Sequence, residues 1–204
     1  EFKSIRKKTG VVFQNVDEQI IGPRVYDDIA FVPRNARLKE DEVKEKVMNI
    51  ARILKIENLL EKIPHYLSGG QKKKVALAGA IVMFPELLVL DEPFDSLDPE
   101  SKKEMLSIIN FLNKNYGITV IITTHDINLV PEVADRVYIL NDGNIVKQGS
   151  PKEVFSETAI LKEANLEPPI LLELFQRLKK RGHNMEMPEN LDEAEKILDS
   201  RLKN

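Results

Sequence analysis

The feature that most constrains the fold is a short apolar run at residues 87–90 that ends directly in two acidic residues. Pro85 precedes the run and Pro93 follows it, so the segment is too short for a helix. A continuous apolar run of this length is typical of a strand that is buried on both faces of a parallel sheet. Because helices must cover both faces of such a sheet, the run predicts an α/β fold.

The rest of the chain continues an alternation of strands and helices. Apolar, β-branched runs predict strands, and apolar residues at every third or fourth position predict helices. Residues 15–37 contain Gly22, Pro23 and Pro33 and are expected to be irregular. The other predicted strands are 11–13 and 118–122, both expected to be buried, with a hairpin of 136–140 and 145–148. The predicted helices are 39–53, 71–83, one that Asp98 caps and Gly117 ends, and a tail beyond Pro168.

Composition excludes several classes of protein. The 204 residues include 30 Lys and Arg against 33 Asp and Glu, and the resulting net charge of -3 gives no basic surface for nucleic acid. Cysteine is absent, which excludes disulfides and thiolate chemistry within these residues. The longest nearly apolar stretch, 75–90, is shorter than the ~20 residues of a membrane-spanning helix and is interrupted by Pro85.

Asp91 and Glu92 follow the predicted central strand and are candidates for chemistry. Ligands of open α/β sheets bind beyond the carboxyl ends of the strands, where adjacent carboxylates are costly unless a cation or a reaction uses them. Asp91 is expected to hold Mg²⁺, largely through water, and Glu92 to polarise an attacking water. The alternative is a strand-end turn with two solvated acids.

Ser68, Gly69 and Gly70 stand where a helix is predicted to begin. A hydroxyl, unhindered N–H groups and the positive end of a helix dipole favour a bound phosphate. The alternative is an ordinary serine cap with flexible glycines, and these three residues by themselves favour it. The lysines at 72–74 are either a phosphate patch or, as charge runs more often are, a solvated helix face.

Over residues 5–165 the chain resembles the nucleotide-binding subunits of ABC transporters. The motifs that carry the resemblance are GVVFQN at 10–15, LSGGQ at 67–71, LLVLDEP at 87–93, SLDP at 96–99 and TTHD at 123–126. Residues 12–31 are similar in particular to the ATPases of cobalt, nickel and vitamin importers of the energy-coupling-factor type. Val16 and Lys74 depart from that group, in which Pro and Arg are frequent at these positions.

The resemblance implies a P-loop NTPase-like, RecA-like core with a largely parallel sheet. It also implies an inserted α-helical subdomain at about 15–83 and a small helical C-terminal tail. On this basis residues 1–165 are expected to form an ABC ATPase domain and residues 166–204 a helical extension.

The resemblance also implies roles for single residues. Gln14 would contact Mg²⁺ or the water that attacks ATP. His125 would form a hydrogen bond with the γ-phosphate, and Asp98 would lie at the dimer interface near the phosphate. The alternatives are that Gln14 is a surface amide, that His125 is a structural histidine and that Asp98 is only a helix cap. The resemblance thus assigns catalysis to Glu92, His125 and Gln14, metal binding to Asp91 and Gln14, and nucleotide binding to Ser68, Gly69, Gly70, Gln71 and Asp98.

The implied cofactors are ATP and Mg²⁺, and the implied partners are a second ATP-binding subunit and transmembrane transporter subunits, with no nucleic acid. Two subunits would pair head to tail with ATP between the P-loop side of one and LSGGQ of the other, on the cytoplasmic face of the membrane. An ATPase of DNA repair or of the ribosome, and a non-catalytic interaction module, are the alternatives.

The P-loop motif G-x-x-x-x-G-K-[ST] is missing from these 204 residues. In the family it precedes the glutamine loop, which GVVFQN at 10–15 resembles, so we expect it upstream of Glu1, in an N-terminally truncated protein. The alternative is a degenerate protein that uses only its LSGGQ half-site. In either case we expect the chain alone to be a nearly inactive fragment.

Overall fold

A computed structural model describes residues 2–188 and 190–202 of the chain. Contacts divide the chain into two compact units, Glu1–His125 and Asp126–Asn204. Glu1, Glu189, Lys203 and Asn204, which belong to the predicted domains, lie outside the described residues.

The first unit combines a small sheet with helices. Its strands are β1 (Thr9–Val12), β2 (Leu87–Asp91) and β3 (Thr119–Thr123). Its helices are α1 (Phe2–Lys8), α2 (Val16–Gln19), α3 (Val25–Asn35), α4 (Glu40–Leu54), α5 (Gly69–Ile81) and α6 (Pro99–Tyr116), with 3₁₀ turns at Glu57–Leu59 and Pro64–Tyr66.

The three strands form a parallel sheet in the order β1-β2-β3. The central strand β2 buries Leu88 and Leu90, whereas Leu87 and Val89 on its other face are only partly buried, so the predicted burial on both faces is met on one. Val12 pairs with Leu90, and Asp91 pairs with Thr123, so the carboxyl ends of all three strands meet at one edge. The predicted α/β class with a parallel sheet is therefore confirmed.

Strand β3 differs from the sequence prediction. Its segment was expected to be fully buried, but the side chain of Ile121 is 51% exposed and Thr119 and Thr123 are exposed as well. Within the described residues β3 pairs with β2 along one flank and is the edge strand of the sheet. Apolar composition identifies a strand, but it does not show how many neighbours cover that strand.

Residues 15–37 are not irregular as predicted, because they contain α2 and α3. Val25 and Ile29 lie one helical turn apart and are fully buried, and α3 packs against α4 and α5. Pro23 precedes α3 and Pro33 lies in its last turn. Pro23 thus lies outside the helix, whereas Pro33 removes one backbone hydrogen bond in the last turn, and burial of the apolar stripe outweighs that loss.

The second unit contains the predicted hairpin and the helical tail. Ile139 of the hairpin packs in one core with Phe155 and with Leu172 of the tail. The predicted domain boundary at residue 165 stays a prediction. The elements of the unit are β4 (Val137–Asn141), β5 (Asn144–Gly149), α7 (Val130–Val133), α8 (Pro151–Ser156), α9 (Thr158–Glu163), α10 (Ile170–Lys180) and α11 (Leu191–Leu202).

No helix among the described residues is both long enough and apolar enough to cross a bilayer.

Gly10 of β1 provides a test of the packing of β1 against α5. A Cβ at Gly10 would lie 2.4 Å from the carbonyl oxygen of Ala80, at the end of α5. We expect Gly10→Ala to lower the free energy of unfolding by about 2 kcal/mol, because backbone would have to move to relieve the contact. Urea denaturation measures this change.

The matched control is Gly79→Ala, one residue before Ala80. A Cβ there would have Asp28 Oδ2 as its nearest neighbour, at an ordinary 3.8 Å. This variant should be as stable as the parent or up to about 1 kcal/mol more stable, since alanine is the better helix former. Equal stability of the two variants would contradict the packing described here.

Candidate active site

Asp91 and Glu92 lie at the carboxyl edge of the sheet, beside the end of β3. The hydroxyl of Thr123 donates a hydrogen bond to the carboxylate of Asp91. The same hydroxyl accepts from the backbone N–H of Glu92 at 3.3 Å, and the Thr123 carbonyl accepts from that N–H at 3.1 Å. Thr123 therefore fixes the Asp91 side chain and the Glu92 backbone at the same time.

The structure brings Glu92 and His125 into contact. Nδ1 of His125 lies 2.9 Å from Oε1 of Glu92. The Glu92 side chain is 17% exposed, whereas that of His125 is 72% exposed. The pair thus presents a half-buried carboxylate and an accessible imidazole to the same edge of the sheet.

The backbone of Glu92 adopts an uncommon conformation. Its φ angle is 46°, in the left-handed region that disfavours residues with a Cβ. Such conformations cost free energy and persist where surrounding contacts hold them, which is frequent at functional sites. The turn after β2 is therefore held by its contacts rather than by local preference.

Gln14 lies at the same edge as these residues. It follows Val12, the last residue of β1, by two positions, and its side chain is exposed. Its contact with Mg²⁺ or with a water stays a prediction.

Ser68 begins α5 with a reciprocal capping box. Its hydroxyl accepts from the Gln71 N–H at 3.3 Å, and Oε1 of Gln71 accepts from the Ser68 N–H at 3.1 Å. Gly69 is exposed. It is the first residue of α5, so the helix starts two residues earlier than predicted. The geometry accounts for Ser68 and Gln71 as a cap, and their binding of phosphate stays a prediction.

Asp98 caps α6 close to the beginning of α5. Its Oδ1 accepts from the N–H groups of Glu100 and Ser101, both at 3.0 Å, and its Oδ2 from the Ser101 hydroxyl at 2.6 Å. These bonds, those from Ser101 foremost, hold the pKa of Asp98 below its ordinary value. A Cβ on Gly70 would lie 3.1 Å from the Ser101 hydroxyl, so the starts of α5 and α6 are adjacent.

Lys73 corrects the interpretation of the lysine run as a solvated face. The residue is only 8% exposed. Its ammonium donates to the backbone carbonyls of Glu92 at 3.0 Å, Pro93 at 3.2 Å and Asp95 at 2.6 Å. Burial lowers the pKa of Lys73, and the nearby charges of Asp95 and Glu92 oppose that shift.

The two neighbouring lysines differ from Lys73 in their partners. Lys72 forms an ion pair with Asp17 of α2 at 2.6 Å, and Lys74 forms one with Glu104 of α6 at 2.6 Å. The run therefore joins α5 to three different parts of the first unit.

Comparison with known proteins agrees with this geometry. A family model described as ABC transporter matches residues 1–95. The energy-coupling factor transporter ATP-binding protein EcfA1 of Methanospirillum hungatei is 42% identical over 193 residues, which cover 95% of this chain and 70% of that protein. The chain belongs to the ABC transporter ATP-binding family.

Two further members of the family support the assignment. EcfA of Methanocaldococcus jannaschii is 46% identical over 179 residues, or 88% of this chain and 64% of that protein. The structure of cbiO1 from Clostridium perfringens, described as part of the ABC transporter complex cbiONQ, matches with a TM-score of 0.72 and 40% identity over 87% of this chain and 69% of that one. The chain thus spans less than two thirds of the length of the Methanocaldococcus jannaschii relative.

Sequence reasoning missed the parts played by Thr123 and Lys73. Thr123 stands in the TTHD motif, but its bonds to Asp91 and Glu92 follow from the register of β2 and β3. The residues one helical turn beyond the three lysines, Ala76, Leu77 and Ala78, are all buried, so the apolar spacing does not separate Lys73 from the lysines beside it.

The side-chain oxygens at this edge of the sheet fit a Mg²⁺ ion that retains most of its water. Among the described residues, no three His, Cys, Asp or Glu side chains converge as a metal cage. Asp91 offers a single carboxylate beside the hydroxyl of Thr123. Mg²⁺ in nucleotide sites is held by one or two carboxylates with water and phosphate, so this set suffices.

The capping of α6 predicts a pH dependence. Because the folded-state pKa of Asp98 is depressed, the ionised cap stabilises the fold above about pH 4 and this contribution is lost as the pH falls through the lower folded value. Asp98→Ala should lower Tm at pH 7, and the difference from the parent should narrow in acid. Thermal unfolding followed by circular dichroism measures both.

Asp98→Asn is the control for this test. Asparagine caps helices about as well as aspartate but does not titrate in acid. Its Tm at pH 7 should lie close to that of the parent. A Tm gap between Asp98→Ala and the parent that is constant from pH 7 to pH 2.5 would contradict the assigned titration.

Proposed function

We propose that these residues form most of an ATP-hydrolysing subunit that energises a membrane importer of cobalt or nickel ions or of a vitamin. The observation that carries the proposal is the contact of His125 with Glu92, next to Asp91, at the carboxyl edge of a parallel sheet. The relatives named as energy-coupling factor ATP-binding proteins, and cbiO1 as part of a transporter complex, support the importer class.

In this proposal Glu92 accepts a hydrogen bond from the attacking water and polarises it. His125 keeps the Glu92 carboxylate in place through the 2.9 Å contact, and its exposed ring reaches the γ-phosphate. Asp91, oriented by Thr123, would hold Mg²⁺, which supplies charge neutralisation at the phosphates. Gln14 orients the water from the end of β1.

A second subunit completes each site. Ser68, Gly69 and Gly70 would face the nucleotide of the opposite subunit, where the N–H groups and dipole of α5 favour its phosphates. Asp98 would lie at the same dimer interface. Closure of the dimer excludes water from the reaction, and hydrolysis reopens it.

These 204 residues contain no P-loop motif, so in this proposal they do not form the main phosphate cradle themselves. Movement of the helical region at 15–80 would act on transmembrane subunits from the cytoplasmic face of the membrane. The net charge of -3 favours an ATPase that energises an importer over one that acts on nucleic acid.

The substitution that tests the proposed chemistry is Glu92→Gln. In the protein translated from the complete gene, it should lower kcat for Mg²⁺-dependent ATP hydrolysis by about 100-fold or more, because the amide cannot polarise water. Glu45→Gln, an exposed position on α4, should leave kcat unchanged. Release of phosphate measures both.

The 204-residue chain by itself should hydrolyse ATP at a negligible rate, because it lacks the main phosphate cradle. Mg²⁺-dependent turnover by these residues alone, abolished by Glu92→Gln, would refute this expectation. Binding to DNA or RNA that weakens with salt would instead favour an ATPase of nucleic-acid metabolism.

A further inference from the structure

Lys73 is a buried and fully bonded side chain near the site, and it enters none of the catalytic roles above. A lysine ammonium has three N–H donors, and the carbonyls of Glu92, Pro93 and Asp95 accept all three. The three acceptors belong to four consecutive residues of the chain. Lys73 therefore binds one turn of backbone rather than a partner side chain.

This turn has few local reasons to hold its shape. Glu92 and Ser96 both have positive φ angles, 46° and 57°. Within the turn, the Asp95 N–H donates to the Glu92 carbonyl at 3.2 Å and the Leu97 N–H to the Phe94 carbonyl at a long 3.4 Å. Backbone in uncommon conformations needs outside contacts to remain there, and the Lys73 ammonium supplies three.

The position of Lys73 also connects two parts of the site. It lies on α5, two residues after Gln71 of the Ser68–Gln71 capping box. The turn that it holds carries the Glu92 carboxylate at one end and leads to Asp98 at the other. A shift of α5 would thus directly move the backbone of Glu92.

We propose that Lys73 is a positioning residue that fixes the Glu92 carboxylate by binding the backbone of its turn, and that it ties α5 to that turn. The catalytic consequence rests on the proposed function, whereas the holding of the turn does not. Lys73 touches no reacting atom in this arrangement and acts through Glu92.

Amide hydrogen exchange in the chain tests the holding of the turn. Lys73→Met keeps an unbranched side chain that is one heavy atom shorter and removes all three donors. Exchange at the amides of residues 92–97, of which Pro93 has none, should become about tenfold faster or more, while exchange in α4 stays unchanged. Lys74→Met, which loses an ion pair to Glu104 outside the turn, should leave exchange at 92–97 within about twofold of the parent.

A chemical rescue separates the ammonium from the packing of its stem. The 204 residues contain no cysteine, so Lys73→Cys offers a single site for alkylation under unfolding conditions, followed by refolding. An S-aminoethyl group restores an ammonium at nearly the original length, and an S-propyl group restores the same bulk without charge or donors. Protection at 92–97 should return with the aminoethyl group only.

ATP hydrolysis by the protein from the complete gene gives the catalytic readout. Lys73→Met should lower kcat by about tenfold and change KM for ATP by less than about twofold, because the lysine acts on Glu92 and not on the nucleotide. If the parent protein has no ATPase activity, the proposed function fails, and the exchange experiment still decides whether Lys73 holds the turn.

Several results would overturn the proposal. Unchanged exchange at 92–97 in Lys73→Met would show that the turn holds itself. Equal rescue by the propyl and aminoethyl groups would reduce Lys73 to packing. Unfolding of every variant that lacks the ammonium would make Lys73 a general stabiliser of the first unit, and a changed KM with an unchanged kcat would place its effect on nucleotide binding.

Discussion

The parallel pairing of β2 with β3 is the constraint on which the candidate site depends. The register that sets Asp91 opposite Thr123 lets one hydroxyl bind the Asp91 carboxylate and the Glu92 backbone together. It also brings His125, two residues beyond β3, to the Glu92 carboxylate. A shift of the register by one residue would turn these side chains to the opposite face and separate them.

Helix starts are the second organising element of the first unit. α5 begins with the Ser68 capping box and α6 with the Asp98 cap, and Gly70 allows the two starts to lie side by side. Lys73 then connects α5 to the turn between β2 and α6. The LSGGQ segment and the acidic strand end are thus parts of one bonded structure. In the proposed dimer, this link would join the two half-sites that each subunit contributes.

Much of this arrangement was predictable, because some signals are local. The apolar run before Asp91, the serine before Gly69 and the aspartate before Pro99 each specify a strand or a cap through their own backbone chemistry. The prediction that residues 15–37 are irregular was wrong because it was based on single proline and glycine residues. The burial of Val25 and Ile29 against neighbouring helices outweighs them.

The sequence by itself determined the α/β class, the family and the principal caps, and it predicted Asp91, Glu92 and His125 as site residues. Only the tertiary structure decided that Thr123 orients Asp91, that Lys73 is buried beneath the turn that follows β2, and that β3 lies at the edge of the sheet. The reason is physical. A motif specifies what a residue can donate or accept, whereas strand register and helix packing determine which distant backbone or side chain stands within its reach.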